Sequence, residues 1–323
     1  MNDFWSVLPA PFFVQAPMED VTDAAFRALI SKYSNTGNAS YVSFTEFTSA
    51  DGLVLAPEKG QLSLRKKLIF GEGERPIVAQ LFSAYPERME AAAAIVAQMG
   101  FDGLDINMGC PDRAIEKGLC GAAMIKNPAL AKEIIRAAKR GARNIPVSVK
   151  TRIGYATNEI PTWVLALLEE GIANLTIHAR TRNEMSEVPA RWEHVAEAVA
   201  IRNSMGVATR ITGNGDVKDL ADAREKIRET GCDGAMLGRA IYGNPWLFTE
   251  HIPTAHERVQ ALIEHLTLFD ELLGEVVNYA TMKKHFKAYI SGWDDAKDLR
   301  VRLMETVSCQ EAQKILSDIL TGI

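Results

Sequence analysis

Residues 103–113 read G-L-D-I-N-M-G-C-P-D-R, an apolar run that changes abruptly to small and polar residues. The run 103–106 has the composition of a buried strand, and Asn107 and Cys110 follow it on a loop that contains a proline. A thiol directly after a strand is where an enzyme places a reactive group, although free cysteines are also common as buried filler. The stretch predicts one β/α unit and leaves the role of Cys110 open.

Similar apolar runs alternate with helical patterns from about residue 12 to residue 240. Near-continuous apolar strands separated by helices are typical of a parallel sheet that is covered on both faces. Eight such units predict a (β/α)8 TIM barrel rather than an open doubly wound sheet. The predicted strands are 13–18, 41–46, 76–82, 103–107, 146–152, 174–180, 210–214 and 234–239.

The helices between these strands carry their own end signals. Thr22 can cap the first long helix, and Pro86 stands at the start of a later one. Asn127 followed by Pro128 is a cap with a proline in the first helical position, and Gly141 is expected to end that helix. Residues 51–73 are less regular, and the pattern does not place their helix.

The chain after Trp246 reads as helices only. Thr254 with Glu257 and Ser308 with Glu311 have the spacing of capping boxes. We therefore predict a barrel domain over residues 1–248 and a small all-helical domain over residues 249–323.

The composition is that of an ordinary soluble protein, with 47% apolar and 24% charged residues among 323. A net charge of −5 argues against a uniformly basic surface, although local basic patches can still bind nucleic acid. The four cysteines form no C-x-x-C pair and no metal-ligand spacing with histidine, so we expect a reducing cytoplasm and no metal. We see no signal peptide and no membrane span.

Polar or special residues stand at the end of nearly every predicted strand. In a TIM barrel the carboxyl ends of the strands carry the active site, so these residues should share one rim. They are Pro17, Met18, Glu46, Gln80, Asn107, Cys110, Lys150, Arg152, His178, Arg180, Asn214, Gly215, Asp216, Gly238 and Arg239.

Glycine-rich turns after strands seven and eight are the usual phosphate site of such barrels. Gly213, Gly215 and Gly238 would allow backbone N–H groups to approach a phosphate, and Arg239 would add a positive charge. The alternative is that these glycines merely end strands.

Lys150 lies at the end of predicted strand five. It could form a Schiff base, as in aldolases, or neutralise anionic charge on a flavin ring that Gln80 and His178 would flank. A phosphate site with a lysine across the barrel mouth suits FMN. No G-x-G-x-x-G follows a strand, so a nicotinamide donor would visit the flavin without a Rossmann site of its own.

Several motifs together resemble the tRNA-dihydrouridine synthases, in order along most of the chain. They are P-M-E-D-V-T-D from Pro17, Q-L-F from Gln80, D-I-N-M-G-C-P from Asp105, G-A-A-M from Gly121, V-K-T-R-I-G from Val149, H-A-R-T from His178, G-N-G-D from Gly213 and G-R from Gly238. The resemblance implies an FMN-binding TIM barrel with a helical domain that grips tRNA, and reduction of uridine to 5,6-dihydrouridine with NADPH or NADH.

The resemblance also implies roles for individual residues. Cys110 would give a proton to C5 of the uracil while reduced FMN gives a hydride to C6, and Asn107 would orient the base. Arg152, Arg180 and Glu46 are assigned to substrate. FMN would be held by Pro17, Met18, Gln80, Lys150, His178, Asn214, Gly215, Asp216, Gly238 and Arg239.

The chemistry of the residues agrees with this assignment. Reducing the C=C bond of uracil needs a hydride donor on one face and a proton donor on the other, and a flavin meets the first need. A thiol with a reference pKa of about 8.5 is protonated at neutral pH and can act as the acid. A uridine in folded tRNA must leave its stack to reach a barrel mouth.

Two features depart from the family pattern. Cys120 occupies a place where a small residue is usual, and we interpret it as compact filler. The segment 251–323 carries 8 lysines and arginines against 11 aspartates and glutamates, so tRNA binding would depend on local clusters. The candidates are Lys283, Lys284, His285 and Lys287, with Arg300 and Arg302, and a solvated helix face is the alternative. We expect a monomer.

Other functions compete with a tRNA uridine reductase. An FMN barrel acting on a small molecule, like dihydroorotate or enone-reducing enzymes, would share the phosphate turns and Lys150 but leaves the helical domain unexplained. A Schiff-base aldolase would not need Gln80, Cys110 or His178. A tRNA-binding protein on an inactive barrel conflicts with the apparently intact rim.

Overall fold

The computed structural model describes residues 3–34, 41–249 and 251–320. Eight parallel strands pair in sequence order and close into a barrel, which confirms the predicted TIM barrel. The strands are β1 (Phe12–Gln15), β2 (Tyr41–Ser49), β3 (Ile77–Phe82), β4 (Gly103–Met108), β5 (Val147–Arg152), β6 (Asn174–His178), β7 (Arg210–Asn214) and β8 (Gly234–Leu237).

Helices cover the outside of the barrel, and a short helix covers its amino-terminal end. They are α1 (Phe4–Val7), α2 (Ala24–Ser34), α3 (Ala50–Leu55), α4 (Glu58–Lys67), α5 (Pro86–Gln98), α6 (Arg113–Lys117), α7 (Pro128–Ala142), α8 (Ile160–Leu168), α9 (Glu193–Met205) and α10 (Leu220–Thr230). Trp5 of α1 is fully buried, with its ring 5.6 Å from Phe12 and 6.4 Å from Phe44. Apolar packing therefore fills the amino-terminal end of the barrel interior, and polar side chains occupy the other end.

The strands end close to where the sequence predicted, and the differences decide which residues are free to face a ligand. β1 ends at Gln15 and β8 at Leu237, so Met18 and Arg239 lie on loops beyond the strand ends. β2 continues to Ser49, past Glu46. The irregular stretch 51–73 contains α3, which begins at Ala50, and α4.

Two predicted helix ends differ from the structure. Asp23, rather than Thr22, caps α2, because its carboxylate accepts a hydrogen bond from Phe26 N at 2.8 Å. The Thr22 hydroxyl accepts instead from Met18 N at 2.8 Å. Gly141 lies inside α7, where a Cβ atom would be 2.0 Å from the Glu90 carbonyl oxygen. This glycine allows α5 and α7 to pack closely and does not stop the helix.

The carboxyl-terminal segment is helical, as predicted. It contains α11 (Ala255–Leu273), α12 (Lys283–Tyr289), α13 (Ala296–Glu305) and α14 (Cys309–Leu320). Thr254 and Glu257 form the predicted capping box, and Glu311 N donates to Ser308 Oγ at 3.2 Å. α11 packs against α2 of the barrel and against α14. The boundary between residues 248 and 249 stays a prediction.

None of the described helices combines the length and the apolar character that a membrane crossing requires.

Candidate active site

A polar pocket opens at the carboxyl ends of β1, β5, β6, β7 and β8. It brings together all the predicted cofactor residues except Gln80, and it adds Arg180. Its lining is Ala16, Pro17, Met18, Lys150, His178, Arg180, Ser186, Asn214, Gly215, Asp216, Val217, Gly238 and Arg239. Ser186 and Val217 were not predicted, because a loop side chain leaves no periodic pattern.

Asp216 organises one side of the pocket. Its carboxylate pairs with the guanidinium groups of Arg180 and Arg239, and it accepts a hydrogen bond from Ala190 N at 2.9 Å. Although burial opposes ionisation, these donors lower the pKa of Asp216 below its usual value. The preceding Gly215 has φ of +122°, and a Cβ there would lie 2.8 Å from the Ala190 Cβ. Both conformation and space therefore require glycine at 215.

The contacts of His178 indicate a neutral imidazole with its proton on Nδ1. Arginine can only donate, so the 3.1 Å contact between Arg180 Nη1 and His178 Nε2 makes Nε2 the acceptor and leaves the proton on Nδ1. Burial, followed by the positive charges of Arg152 and Lys150, holds the pKa of His178 well below its usual value. Arg180 itself is 2% exposed and also donates to Val188 O at 2.5 Å.

Lys150 brings a positive charge into the pocket. Burial and the neighbouring charge of Arg152 together lower its pKa to about 8, against the opposing effect of Asp105. Within residues 3–34, 41–249 and 251–320, no group forms a hydrogen bond or ion pair with its ammonium. Lys150 pairs in register with Asn107 of β4, so it lies beside the strand that leads to the thiol.

Gln80 does not line the pocket but contacts a buried acid behind it. Gln80 Nε2 donates to Asp105 Oδ2 at 2.8 Å, and Ser148 Oγ donates to Asp105 Oδ1 at 2.6 Å. Asp105 is fully buried, and desolvation raises its pKa to about 6 despite these donors and Lys150. Sequence reasoning missed Asp105 as a site residue, although its place two residues before Asn107 puts both on the same face of β4.

The loop after β4 presents Cys110 from a fixed turn. Asn107 Oδ1 accepts hydrogen bonds from Gly109 N at 3.1 Å and Cys110 N at 2.9 Å. Ala122 N donates to Cys110 O at 2.9 Å, which returns the loop to its start. Gly121 has φ of +60°, and a Cβ there would lie 2.6 Å from Cys110 O. Asn107 therefore shapes the turn that carries the thiol, whatever contact it makes with a base.

The two thiols near this loop differ in accessibility. Cys110 is partly exposed, and burial raises its pKa above the usual value, against the opposing hydrogen bond from Asp112 N. Cys120 is buried and donates to Gly118 O at 3.2 Å, and burial raises its pKa to about 12. Both thiols are protonated at neutral pH, and Cys110 is the more exposed residue of the two.

Arg152 ties neighbouring loops together. Its Nε donates to Gly109 O at 2.8 Å, and its Nη1 donates to the carbonyl oxygens of Thr181 and Met185, each at 3.0 Å. The side chain is 5% exposed, and burial lowers its pKa to about 10. Much of its donor capacity is spent on the backbone, so its predicted contact with substrate stays a proposal.

Glu46 lies beneath the loop after β1 and outside the lining of the pocket. It accepts from Asp20 N at 2.5 Å, and burial raises its pKa to about 7, helped by the nearby Asp23. Carboxylate oxygens of Glu19, Asp20 and Glu46 lie within 4.8 Å of one another. Lysines neutralise two of the three, since Lys67 pairs with Glu19 and Lys284 with Asp20. The predicted absence of a metal stays a prediction.

The three lysines predicted to bind tRNA do not share one surface. Lys284 faces the barrel through its pair with Asp20. Lys283 and Lys287 line a groove between α12 and α13. Its lining is Lys283, Phe286, Lys287, Lys297, Arg300, Val301, Met304 and Glu305. We call this the α12–α13 groove.

Comparison with known proteins gives one consistent family. The family model described as dihydrouridine synthase matches residues 14–323. A protein named probable tRNA-dihydrouridine synthase from Staphylococcus aureus (strain COL) is 41% identical, over 98% of this chain and 95% of its own. A probable tRNA-dihydrouridine synthase 2 from Bacillus subtilis (strain 168) is also 41% identical, over 98% and 96%.

Solved structures with a similar fold include a 2-naphthoyl-CoA reductase, with TM-score 0.55 and 12% identity over 73% of this chain and 49% of that chain. Morphinone reductase in complex with tetrahydroNAD gives 0.50 and 14%, over 73% and 84%. These likenesses concern the fold, whereas the sequence match covers nearly the whole protein. The chain therefore belongs to the dihydrouridine synthase family, the oxidoreductases that reduce uridine in tRNA to 5,6-dihydrouridine.

Proposed function

We propose that the protein reduces tRNA uridine with FMN held in the polar pocket. The observation that best supports this proposal is the charge of the pocket lining. Its charged side chains are three cations, Lys150, Arg180 and Arg239, and one carboxylate, Asp216, while His178 is neutral. This leaves a net charge of about +2, which matches the charge of about −1.5 to −2 on a phosphate monoester at neutral pH.

The backbone of the pocket also fits a phosphate. Gly238 lines the pocket, and a Cβ built on it would make ordinary contacts with Met18 Sδ at 3.7 Å and Ala16 Cβ at 3.8 Å. Gly215 adopts a conformation that other residues rarely take, at the carboxyl end of β7. Together with Asn214, these turns would hold the phosphate through short side chains and backbone N–H groups.

FMN held in this pocket and reduced by NADPH or NADH would supply the hydride that C6 of the uracil receives. Lys150 would place a positive charge where negative charge develops during that transfer, since no carboxylate of the described residues forms an ion pair with it. His178 offers its Nδ1–H as a donor and stays neutral, since burial and four nearby cations oppose its protonation. Gln80 would act through Asp105, which it holds beside Lys150.

Cys110 is the proposed proton donor. Its raised pKa keeps the thiol protonated, and the partly exposed residue lies on the loop after the carboxyl end of β4. The proton passes from Sγ to C5, so that the C5=C6 double bond gains one hydride and one proton in total. The resulting thiolate is stabilised by the Asp112 N–H and by the positive charges of Lys150 and Arg152, and solvent returns the proton.

The α12–α13 groove is the proposed contact for the tRNA backbone. Four cations, Lys283, Lys287, Lys297 and Arg300, line it together with a single acid, Glu305. This local excess of three positive charges explains how a net acidic segment can attract phosphates. Lys284, which pairs with Asp20, is outside this set.

We also infer a monomeric, cytoplasmic protein that needs no metal. Light scattering and elemental analysis of the purified protein test the first and last of these points.

The flavin proposal is tested by purifying the protein and releasing its cofactor by heat. We expect a yellow protein with a two-band flavin spectrum, and chromatography should identify FMN rather than FAD. A colourless preparation that FMN cannot reconstitute would overturn the proposal.

A further inference from the structure

A bidentate ion pair joins the loop after β4 to the loop after β6. The loop after β4 carries Cys110, and we call it the thiol loop. Arg182 Nε donates to both carboxylate oxygens of Glu116, each at 2.9 Å, and Arg182 Nη2 contacts Glu116 Oε2. The same Nη2 donates to Pro111 O at 3.3 Å. Arg182 therefore grips the thiol loop at two places, one of them the residue next to Cys110.

Both partners are shielded from solvent. The side chain of Arg182 is 19% exposed and that of Glu116 is 11% exposed, so water screens this pair less than the surface pairs of the molecule. Glu116 belongs to α6, which Asp112 caps by accepting from Ala114 N at 2.8 Å. A displacement of Glu116 therefore moves the whole of α6, the short helix that follows Cys110.

Arg182 itself stands on a fixed base. Its backbone N donates to Gly154 O at 2.9 Å, and the neighbouring Asn183 N donates to Tyr155 O at 3.0 Å. Its guanidinium carbon lies 5.6 Å from the centre of the Tyr155 ring. The arginine is thus anchored to the loop after β5 while its side chain holds the loop after β4.

We propose that Arg182, through Glu116 and Pro111 O, is a positioning residue that sets the place of the Cys110 thiol over the pocket. The proposal rests on the proposed function, because the thiol must reach one carbon atom of the base. A small displacement of a reacting group costs about 100-fold in rate. Arg182 touches neither cofactor nor base in this scheme, so its loss lowers turnover and leaves flavin binding unchanged.

The test measures thiol access directly, without flavin turnover or tRNA. Iodoacetamide labels Cys110 in the purified holoenzyme, and peptide mass spectrometry gives the labelling rate as a function of pH. We expect Arg182→Ala to raise the rate several-fold, Glu116→Gln to raise it in the same direction, and Arg182→Lys to restore part of the protection. Arg136→Ala is the control, because it breaks a bidentate pair between α7 and Glu170, which follows α8.

Single-turnover reduction of tRNA by the pre-reduced enzyme completes the test. We expect Arg182→Ala to fall about 100-fold in the rate of the chemical step with unchanged KM, and Arg136→Ala to match the wild type. If Arg182→Ala fails to fold, Arg182→Lys and Glu116→Gln carry the same comparison. Unchanged labelling of Cys110 in all three variants would overturn the proposal. A wild type without flavin would instead contradict the proposed function, and the labelling result would still stand.

Discussion

Lys150 lies in an environment that is unfavourable for its charge when no ligand is bound. Burial beside Arg152 lowers its pKa to about 8, and the described protein groups form no ion pair with it. A lysine whose pKa is lower in the folded state than in the unfolded state makes folding less favourable below the unfolded value near 10.4. An anion that binds beside this ammonium therefore stabilises the folded protein.

This predicts a pH effect in the flavin-free protein. As the pH rises from about 8 to about 10, the penalty for burying charged Lys150 is lost, so the wild type should gain stability relative to Lys150→Met. Each unit of the pKa shift is worth about 1.4 kcal/mol, which sets an upper limit of about 3 kcal/mol for the change in the difference. Urea denaturation of both proteins at pH 8 and pH 10 gives this difference, and identical pH dependence would contradict the account.

At the scale of elements, the lysines of α12 lie on two different surfaces. Lys287 lines the α12–α13 groove with Lys297 and Arg300, whereas Lys284 pairs with Asp20 on the loop after β1. That loop also carries Pro17 and Met18, which line the polar pocket. One short helix therefore contacts the proposed tRNA surface on one side and the cofactor loop on the other.

These positions predict opposite outcomes for two neighbouring substitutions. Lys287→Ala should weaken tRNA binding and reduce the slope of log affinity against log salt by about 1. Lys284→Ala should leave the salt slope unchanged and alter flavin retention instead. Titrations of labelled tRNA at several salt concentrations measure the slope. Equal slopes for the two variants would show that the groove is not the phosphate contact.

At the scale of the whole molecule, aromatic and histidine rings pack at the junction between the barrel and the helical segment. The rings of Phe26 and His265 lie 5.0 Å apart, and those of His265 and His285 lie 4.7 Å apart. Tyr289 Oη is 3.3 Å from His265 Nδ1. Both histidines are fully buried, and desolvation lowers the pKa of His285 to about 4.

Stability should consequently depend on pH through His285. In the unfolded chain this histidine binds a proton near pH 6.5, and in the folded protein only near pH 4, so its contribution to stability is lost as the pH falls between these values. The slope is at most about 1.4 kcal/mol for each pH unit. Asp23 and Glu46 act in the opposite sense, because burial raises their pKa values to about 6 and 7.

The comparison must therefore be made between variants. Charged groups that influence His285 include Asp20 and Lys284, and both remain in His285→Gln. We expect the wild type to lose more stability than this variant between pH 6.5 and pH 4.5, as measured by thermal or urea unfolding. Parallel curves would mean that the pKa of His285 is the same in the folded and unfolded states, which would contradict the account.

The sequence predicted the barrel because each strand is a separate apolar run with a polar residue at its end, as at Gly103–Met108. It predicted most of the pocket, because the carboxyl ends of parallel strands share one rim. It could not separate Lys284 from Lys287, since their different partners arise from helix orientation. The pair of Arg182 and Glu116 was not predicted either, because the two residues are 66 positions apart and meet only in the folded chain.

The central claim is that Cys110 donates the proton when a tRNA uridine is reduced over the polar pocket. Single-turnover reduction of unmodified tRNA by pre-reduced enzyme tests it most directly, with Cys120→Ala as the matched control. Cys110→Ala should retain FMN and its reduction by NADPH but form dihydrouridine about 10²- to 10⁴-fold more slowly, whereas Cys120→Ala should resemble the wild type. Formation of dihydrouridine by Cys110→Ala at the wild-type rate would contradict the claim.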